Sequence, residues 1–338
     1  MNSPMNRFFA VTLTSALLAP AAFAAEFGEA KPLRPISTYS IVARDAATGE
    51  LGAAVQSHWF SVGARVPHAQ AGIGAVVTQS FTEVSYGPLG LKAMKKGTPA
   101  EKALKKLVAK DENENVRQVG FVDAKGRAAA HTGSKAIIEA CDQQGDGYSV
   151  QANLMEKDTV CTAMAAAFEG TEGDLADRLM AALEAAQGEG GDIRGKQSAA
   201  MVVVESERKE NPWEGRVVDL RVEDSPEPLV ELRRLLTLNR AYNLMDEGDG
   251  AVTAGEMEKA NELYSAAAAL APGNHEMVFW RAVTLASVGD IEAAMPFFTE
   301  AFEAWPLWRD LISRLPASDI LPDDPALIEQ ILSAGAEE

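Results

Sequence analysis

The order in which strand-like and helix-like segments follow one another restricts this chain more than any other feature. Residues 38–44 alternate Tyr39, Ile41 and Ala43 against Ser40, Val42 and Arg44. Asp45 to Gly49 supply turn chemistry before a second short strand, residues 51–55, which predicts a β-hairpin with one apolar face. A strand follows at 73–78. Helical spacing then sets in after Gly87-Pro88, with Leu89, Leu91, Ala93 and Met94 in one helix and Ala103, Leu104, Leu107 and Val108 in the next. Between them Thr98 reads as an N-cap and Pro99 as the first helical turn. Strands return at 116–122, 127–132 and 148–154, a helical block covers 159–187, and further strands are expected at 198–204 and 217–222. Segregated runs of this kind predict an α+β domain with helices packed on antiparallel sheet, not the alternation of a doubly wound parallel fold.

At the N-terminus, Arg7 precedes an apolar run at 8–18, and Ala22-Phe23-Ala24 has the small-x-small form of a signal-peptidase site. The run is short of the roughly 20 apolar residues a membrane span needs. Residues 1–24 are therefore expected to be a cleavable signal peptide, with the mature chain periplasmic or secreted and without a membrane span. Lys plus Arg number 31 against 49 Asp plus Glu, a net charge of −18, with no basic stripe for phosphates. Nucleic acid is excluded as a partner on that balance. The only cysteines, Cys141 and Cys161, are expected to pair in an oxidising compartment, two buried thiols being the alternative. The glycine-rich stretch at 188–195 follows a helix and enters a strand, the reverse of a dinucleotide fingerprint, and neither cofactor nor metal is expected.

Six motifs together carry a resemblance. They are Thr38-Tyr39-Ser40-Ile41-Val42-Ala43-Arg44-Asp45, Gly74-Ala75-Val76-Val77-Thr78-Gln79, Tyr86-Gly87-Pro88, His131-Thr132-Gly133, Tyr148-Ser149-Val150-Gln151-Ala152-Asn153 and Gly191-Asp192-Ile193-Arg194-Gly195-Lys196-Gln197-Ser198. Over residues 38–235 the chain resembles the family called domain of unknown function 1028. The resemblance implies an N-terminal-nucleophile (Ntn) hydrolase-like fold, an αββα sandwich, and hydrolysis of amide bonds. Thr38 would then be the nucleophile, its own freed α-amine serving as base. The same resemblance implies Arg65 as a holder of substrate carboxylate, with Thr78, Gln79, His131, Thr132, Asp192, Arg194 and Gln197 lining the cleft as orienting groups or oxyanion donors. Signal cleavage leaves residues 25–37 ahead of Thr38, so freeing its amine requires a second cut, at Ser37–Thr38.

After Ser225-Pro226-Glu227-Pro228 the composition turns to alanine- and leucine-rich helical periodicity. Ala260 and Ala294, Tyr264 and Phe298, Ala267 and Ala301, and Pro272 and Pro306 share a period of about 34 residues, the spacing of tetratricopeptide-like helix pairs. Trp280, Ala282, Leu285, Gly289, Ile291 and Ala293 resemble the repeat consensus, and residues 245–255 read as a lengthened turn. A calcium loop around Gly250 fails because Met245 stands where the first carboxylate belongs. Phe297, Phe298, Trp305 and Trp308 read as core aromatics. The expected organisation is a signal peptide (1–24), a linker (25–36), an Ntn-hydrolase-like domain (37–228) and a small all-α tetratricopeptide-like domain (229–338). The expected function is an exported amidohydrolase cleaving a small amide or peptide. The alternative is a catalytically silent periplasmic binding or assembly protein, its helical module contacting a protein partner or a second copy.

Overall fold

Strand β1 (Thr38–Arg44) pairs antiparallel with β2 (Leu51–Ser57) on one side and β8 (Tyr148–Asn153) on the other, which makes it an interior strand. The computed structural model describes residues 38–335; the signal-peptide and linker readings, and Ser37, lie outside the described residues. With β7 (Cys141–Gly145), β9 (Ser198–Val204) and β10 (Arg216–Val222) the first sheet has six strands in the order β10-β9-β2-β1-β8-β7. A second sheet has the order β3-β4-β5-β6, from Pro67–Gln70, Gly74–Ser80, Arg117–Asp123 and Ala128–Thr132. Every pairing in both sheets is antiparallel.

The side-chain period of two sorts β1 between two cores. Tyr39, Ile41 and Ala43 pack with Met164, Phe168, Leu179 and Leu183 of α3 (Val160–Gly170) and α4 (Leu175–Gly188). Val42 packs the other way, with Leu51, Ala53 and Val55 against Ala75, Val77 and Val122 of the second sheet. The outer face of that sheet carries Val76, Val119 and Phe121, covered by Tyr86, Leu91, Met94 and Leu104 of α1 (Tyr86–Lys95) and α2 (Ala100–Val108). The layers therefore run helix, six-stranded sheet, four-stranded sheet, helix. The hairpin was expected to have one apolar face; instead both faces of β1 are buried, Ser40 included.

Strands β3 and β7 were not legible as strands. Both lie at sheet edges, and Pro67-His68-Ala69-Gln70 and Cys141-Asp142-Gln143-Gln144-Gly145 lack the apolar alternation that marks a strand with a buried face. The helical block at 159–187 is two helices, and Asp174 caps the second by accepting from the Asp177 N–H. Pro99, not Thr98, occupies the N-cap of α2, and the Ala100 N–H is satisfied from another element, by Asp123 Oδ2 at 3.1 Å. Cys141 and Cys161 form a disulfide that ties edge strand β7 to α3.

Among the described residues after β10, every element is a helix. Helix α5 (Pro228–Thr253) belongs to two cores, since Leu229, Leu232 and Leu236 join the α3–α4 layer and Ala241, Met245, Ala251 and Val252 pack on α6 (Met257–Leu270). Residues 245–253, expected in a turn, are helix. A second pair, α7 (His275–Ser287) and α8 (Ile291–Ala304), is closed by α9 (Trp308–Ile312) and α10 (Pro325–Leu332). The positions one period apart, Ala260, Tyr264 and Ala267 in α6 and Ala294, Phe298 and Ala301 in α8, are all buried. Trp308 stacks on Phe279 at 4.3 Å, whereas Trp305 is 49% exposed and stacks on His275, so it is not a core residue. Among the described residues no helix is long and apolar enough to cross a membrane.

The disulfide closes a loop with a sequence separation of 20. Replacing both cysteines by serine should lower the free energy of unfolding by about 2–4 kcal/mol in the loop-entropy account. Urea unfolding of this variant and of reduced wild type should give matching midpoints, both below that of oxidised wild type.

Candidate active site

Thr38 is the first residue of β1 and is fully buried. Its register partners are Ser57 on β2 and Asn153 on β8, and Ser57 in turn faces Ser198 on β9. These four share the face that carries Val42, Val55 and Ala200, so a polar row crosses four strands and points at the second sheet. Thr38 Oγ1 donates to Ser57 Oγ at 3.2 Å. Ser198 Oγ donates to the Trp59 carbonyl and accepts from the Val62 N–H at 3.1 Å, which holds the chain where it leaves β2.

Two glutamines reach across from the four-stranded sheet to meet this row. Gln79 Nε2 donates to the Thr38 carbonyl (3.2 Å), to Gln118 Oε1 (2.7 Å) and to the Gln151 carbonyl (3.3 Å), three acceptors sharing two hydrogens. Gln79 Oε1 accepts from Ser40 Oγ at 2.5 Å. Gln118 Oε1 also accepts from Asn153 Nδ2 at 2.9 Å, and its own amide donates to Thr132 Oγ1 (3.0 Å) and the Ala152 carbonyl (2.9 Å). Gln151 Nε2 donates to both oxygens of Ser40 at 2.9 Å, and its Oε1 accepts from Ser149 Oγ at 3.0 Å. Gly120 makes room for it, because a Cβ there would stand 2.2 Å from Gln151 Oε1. All these amides are fully buried, where a donor or acceptor left unmatched costs roughly 1–3 kcal/mol.

Asp192 and Arg194 come together beside this row. The Asp192 carboxylate is fully buried and accepts from Arg194 Nη2 at 2.7 Å, Arg194 Nε at 3.0 Å and the His58 N–H at 3.1 Å. It thereby fixes residue 58, next to Ser57. On the helix side the Tyr39 hydroxyl donates to Gln187 Oε1 at 3.0 Å; burial, and then the negative charge of Asp192, push its pKa well up. Arg65 and Gln197 line one cavity of about 570 Å³ with His58, Trp59 and Phe60. Gln197 Nε2 donates to Asp224 Oδ1 at 3.1 Å, while the exposed Arg65 side chain makes no ion pair among the described residues.

Thr78 and His131 stand elsewhere. Both are opposite Val119, on the face of the second sheet that looks toward α1 and α2. Thr78 Oγ1 donates to the Glu83 carbonyl at 3.1 Å, and His131 Nε2 lies 2.9 Å from the Glu114 carbonyl oxygen and 3.1 Å from Glu114 Oε2. Thr132, one residue on, does reach the row, through Gln118. The sequence reading did not single out Ser40, Ser57, Gln118, Gln151 or Asn153 as site residues. The available signal was polar residues at every second position of a strand, as in Ser149, Gln151 and Asn153. Among the described residues no group of three or more His, Cys, Asp and Glu side chains is placed to hold a metal ion.

Gln118→Leu removes the acceptor of the buried Asn153 amide, Gln79 keeping two other acceptors, and should lower the unfolding free energy by about 2 kcal/mol, within roughly 1–3 kcal/mol per stranded group. Urea denaturation checks this; a loss under about 1 kcal/mol would mean that the amides find other partners.

The model of a family described as being of unknown function, DUF1028, matches residues 38–232. Among solved structures, protein SPO2555 from Silicibacter pomeroyi, described with the DUF1028 family model, is 28% identical, with a TM-score of 0.53 over 59% of this chain and 88% of that one. No curated protein matches the chain. The family match opens on Thr38, takes in both sheets and α1 to α4, and stops within α5, so most of the C-terminal helical part lies beyond it. The chain belongs to the DUF1028 family, whose matched segment contains the whole polar row around Thr38.

Proposed function

We propose that this chain is an exported amidohydrolase on an Ntn-hydrolase-like αββα sandwich, with Thr38 attacking a small amide or peptide once it is the first residue. The observation that carries this reading is the place of Thr38 Oγ1, on the sheet–sheet face of an interior strand and 3.2 Å from Ser57 Oγ. A hydroxyl partner is no base at neutral pH, so the α-amine freed by cleavage before Thr38 takes that role. Oγ1 then bonds to the substrate carbonyl carbon while its proton passes to the amine. The resulting ammonium returns the proton to the departing nitrogen as the C–N bond breaks. Water releases the ester by the same route and regenerates the hydroxyl. Asn153, an amide in the same row that gives one hydrogen bond to Gln118 Oε1, is the candidate for holding the oxyanion. Arg65, in the cavity with His58 and Gln197, is the candidate for a substrate carboxylate.

The Cys141–Cys161 disulfide supports export, since such bonds persist in oxidising compartments. The pairs α5–α6 and α7–α8 support a tetratricopeptide-like reading of the C-terminal part and contact with a protein partner or a second copy. A second reading, a catalytically silent binding or assembly protein, draws on the full burial of Thr38 and the hold of Gln79 on its carbonyl.

An amide-substrate screen separates them. Thr38→Ala should reduce turnover to background with the fold intact by circular dichroism, and Thr38→Ser should retain part of it. Unchanged turnover in Thr38→Ala removes Thr38 from the mechanism, and wild type inert toward every amide favours the silent reading.

A further inference from the structure

Arg281, on α7, is a half-buried cation that forms no salt bridge among the described residues. Its guanidinium lies 4.0 Å from the centre of the Phe297 ring and 5.2 Å from that of Tyr264, over both aromatic faces. Its Nη2 donates to Asn261 Oδ1 at 2.9 Å, a neutral partner, and its buried Nε has no hydrogen-bond partner among the described residues. Asp249, which bonds Tyr264, is already engaged by the Tyr264 hydroxyl (2.7 Å) and by Thr284 Oγ1 (3.0 Å). Burial lowers the arginine pKa, with the charge of Glu300 acting the other way. In a chain with a net charge of −18, a cation stacked and desolvated without a carboxylate is a group shaped for a ligand.

Arg281 and Glu300 line the same cavity and form no salt bridge with each other; Glu300 is exposed and bonds to no described residue. The rest of the lining is largely apolar, including Met245, Met277 and Val278. The volume is about 110 Å³. That is room for the order of four waters at ~30 Å³ each, or for a head group with a short side chain.

We propose that this cavity between the two helix pairs binds a small α-amino acid, its carboxylate on Arg281, its ammonium on Glu300 and its side chain against Met277 and Val278. The site is separate from Thr38 and stands whether or not the chain hydrolyses amides. One cation and one anion in the same lining select a zwitterion over either singly charged relative.

Calorimetric titration of the full chain with L-alanine tests it. L-alanine should bind, while N-acetyl-L-alanine, without the ammonium, and L-alaninamide, without the carboxylate, should each bind roughly tenfold or more weakly, the size of a charge-assisted hydrogen bond. Arg281→Gln and Glu300→Gln should each weaken L-alanine to a similar degree with circular dichroism unchanged. No binding of L-alanine to wild type, equal binding of N-acetyl-L-alanine, or unaltered affinity in the Glu300→Gln variant would each overturn the proposal. Should Arg281→Gln fail to fold, the three ligands on wild type and the exposed Glu300 position still decide it.

Discussion

The interface between the two sheets is apolar at one end and built of amides at the other, and that division governs the rest of the domain. Where Val42, Leu51, Ala53 and Val55 meet Val77 and Val122, contact is non-directional and tolerates small slides. Where Gln79 and Gln118 meet Thr38, Ser40, Gln151 and Asn153, each bond has a direction and a partner, so the sheets have one satisfactory register. A slip by one residue would turn these amides toward the helix layers and strand them there. The same network holds the carbonyl of Thr38 and leaves its hydroxyl beside Ser57.

Much of this was legible. Alternation located eight of the ten described strands approximately, because those strands have at least one apolar face against a core. The two it missed, β3 and β7, are polar edge strands whose place is set by neighbours and, for β7, by the disulfide. The polar face of β1 was the deeper misreading. Ser40 and the residues opposite it look in sequence like a solvent face, and only the pairing of two sheets turns that face inward. Periodicity reports which residues share a face, not what covers it. For the site, motif resemblance reached Gln79 and Thr132 as members of the network, and Asp192 with Arg194 as a pair. It also drew in Thr78 and His131, one residue away from inward-facing neighbours, where strand alternation sends them to the other side.

Helix α5 begins where the composition changes, at Pro228, and shares a core with the sheet domain before it packs on α6. Leu229, Leu232 and Leu236 bury into the α3–α4 layer. Arg233 pairs with Glu184, and Arg240 with Asp174 and Asp177, alongside them. These ion pairs are largely exposed and contribute little, so the leucines carry the attachment. The helical part is thus joined to the sheet domain through a continuous helix that serves both cores, and Met245 near the C-terminal end of that helix lines the cavity with Arg281.

A single peptide bond decides between a buried threonine in a binding scaffold and a nucleophile with its own base. N-terminal sequencing and intact mass of active protein purified from the cells that make it read that bond directly. The account predicts a chain that begins at Thr38; an active chain that begins near Ala25 would contradict it.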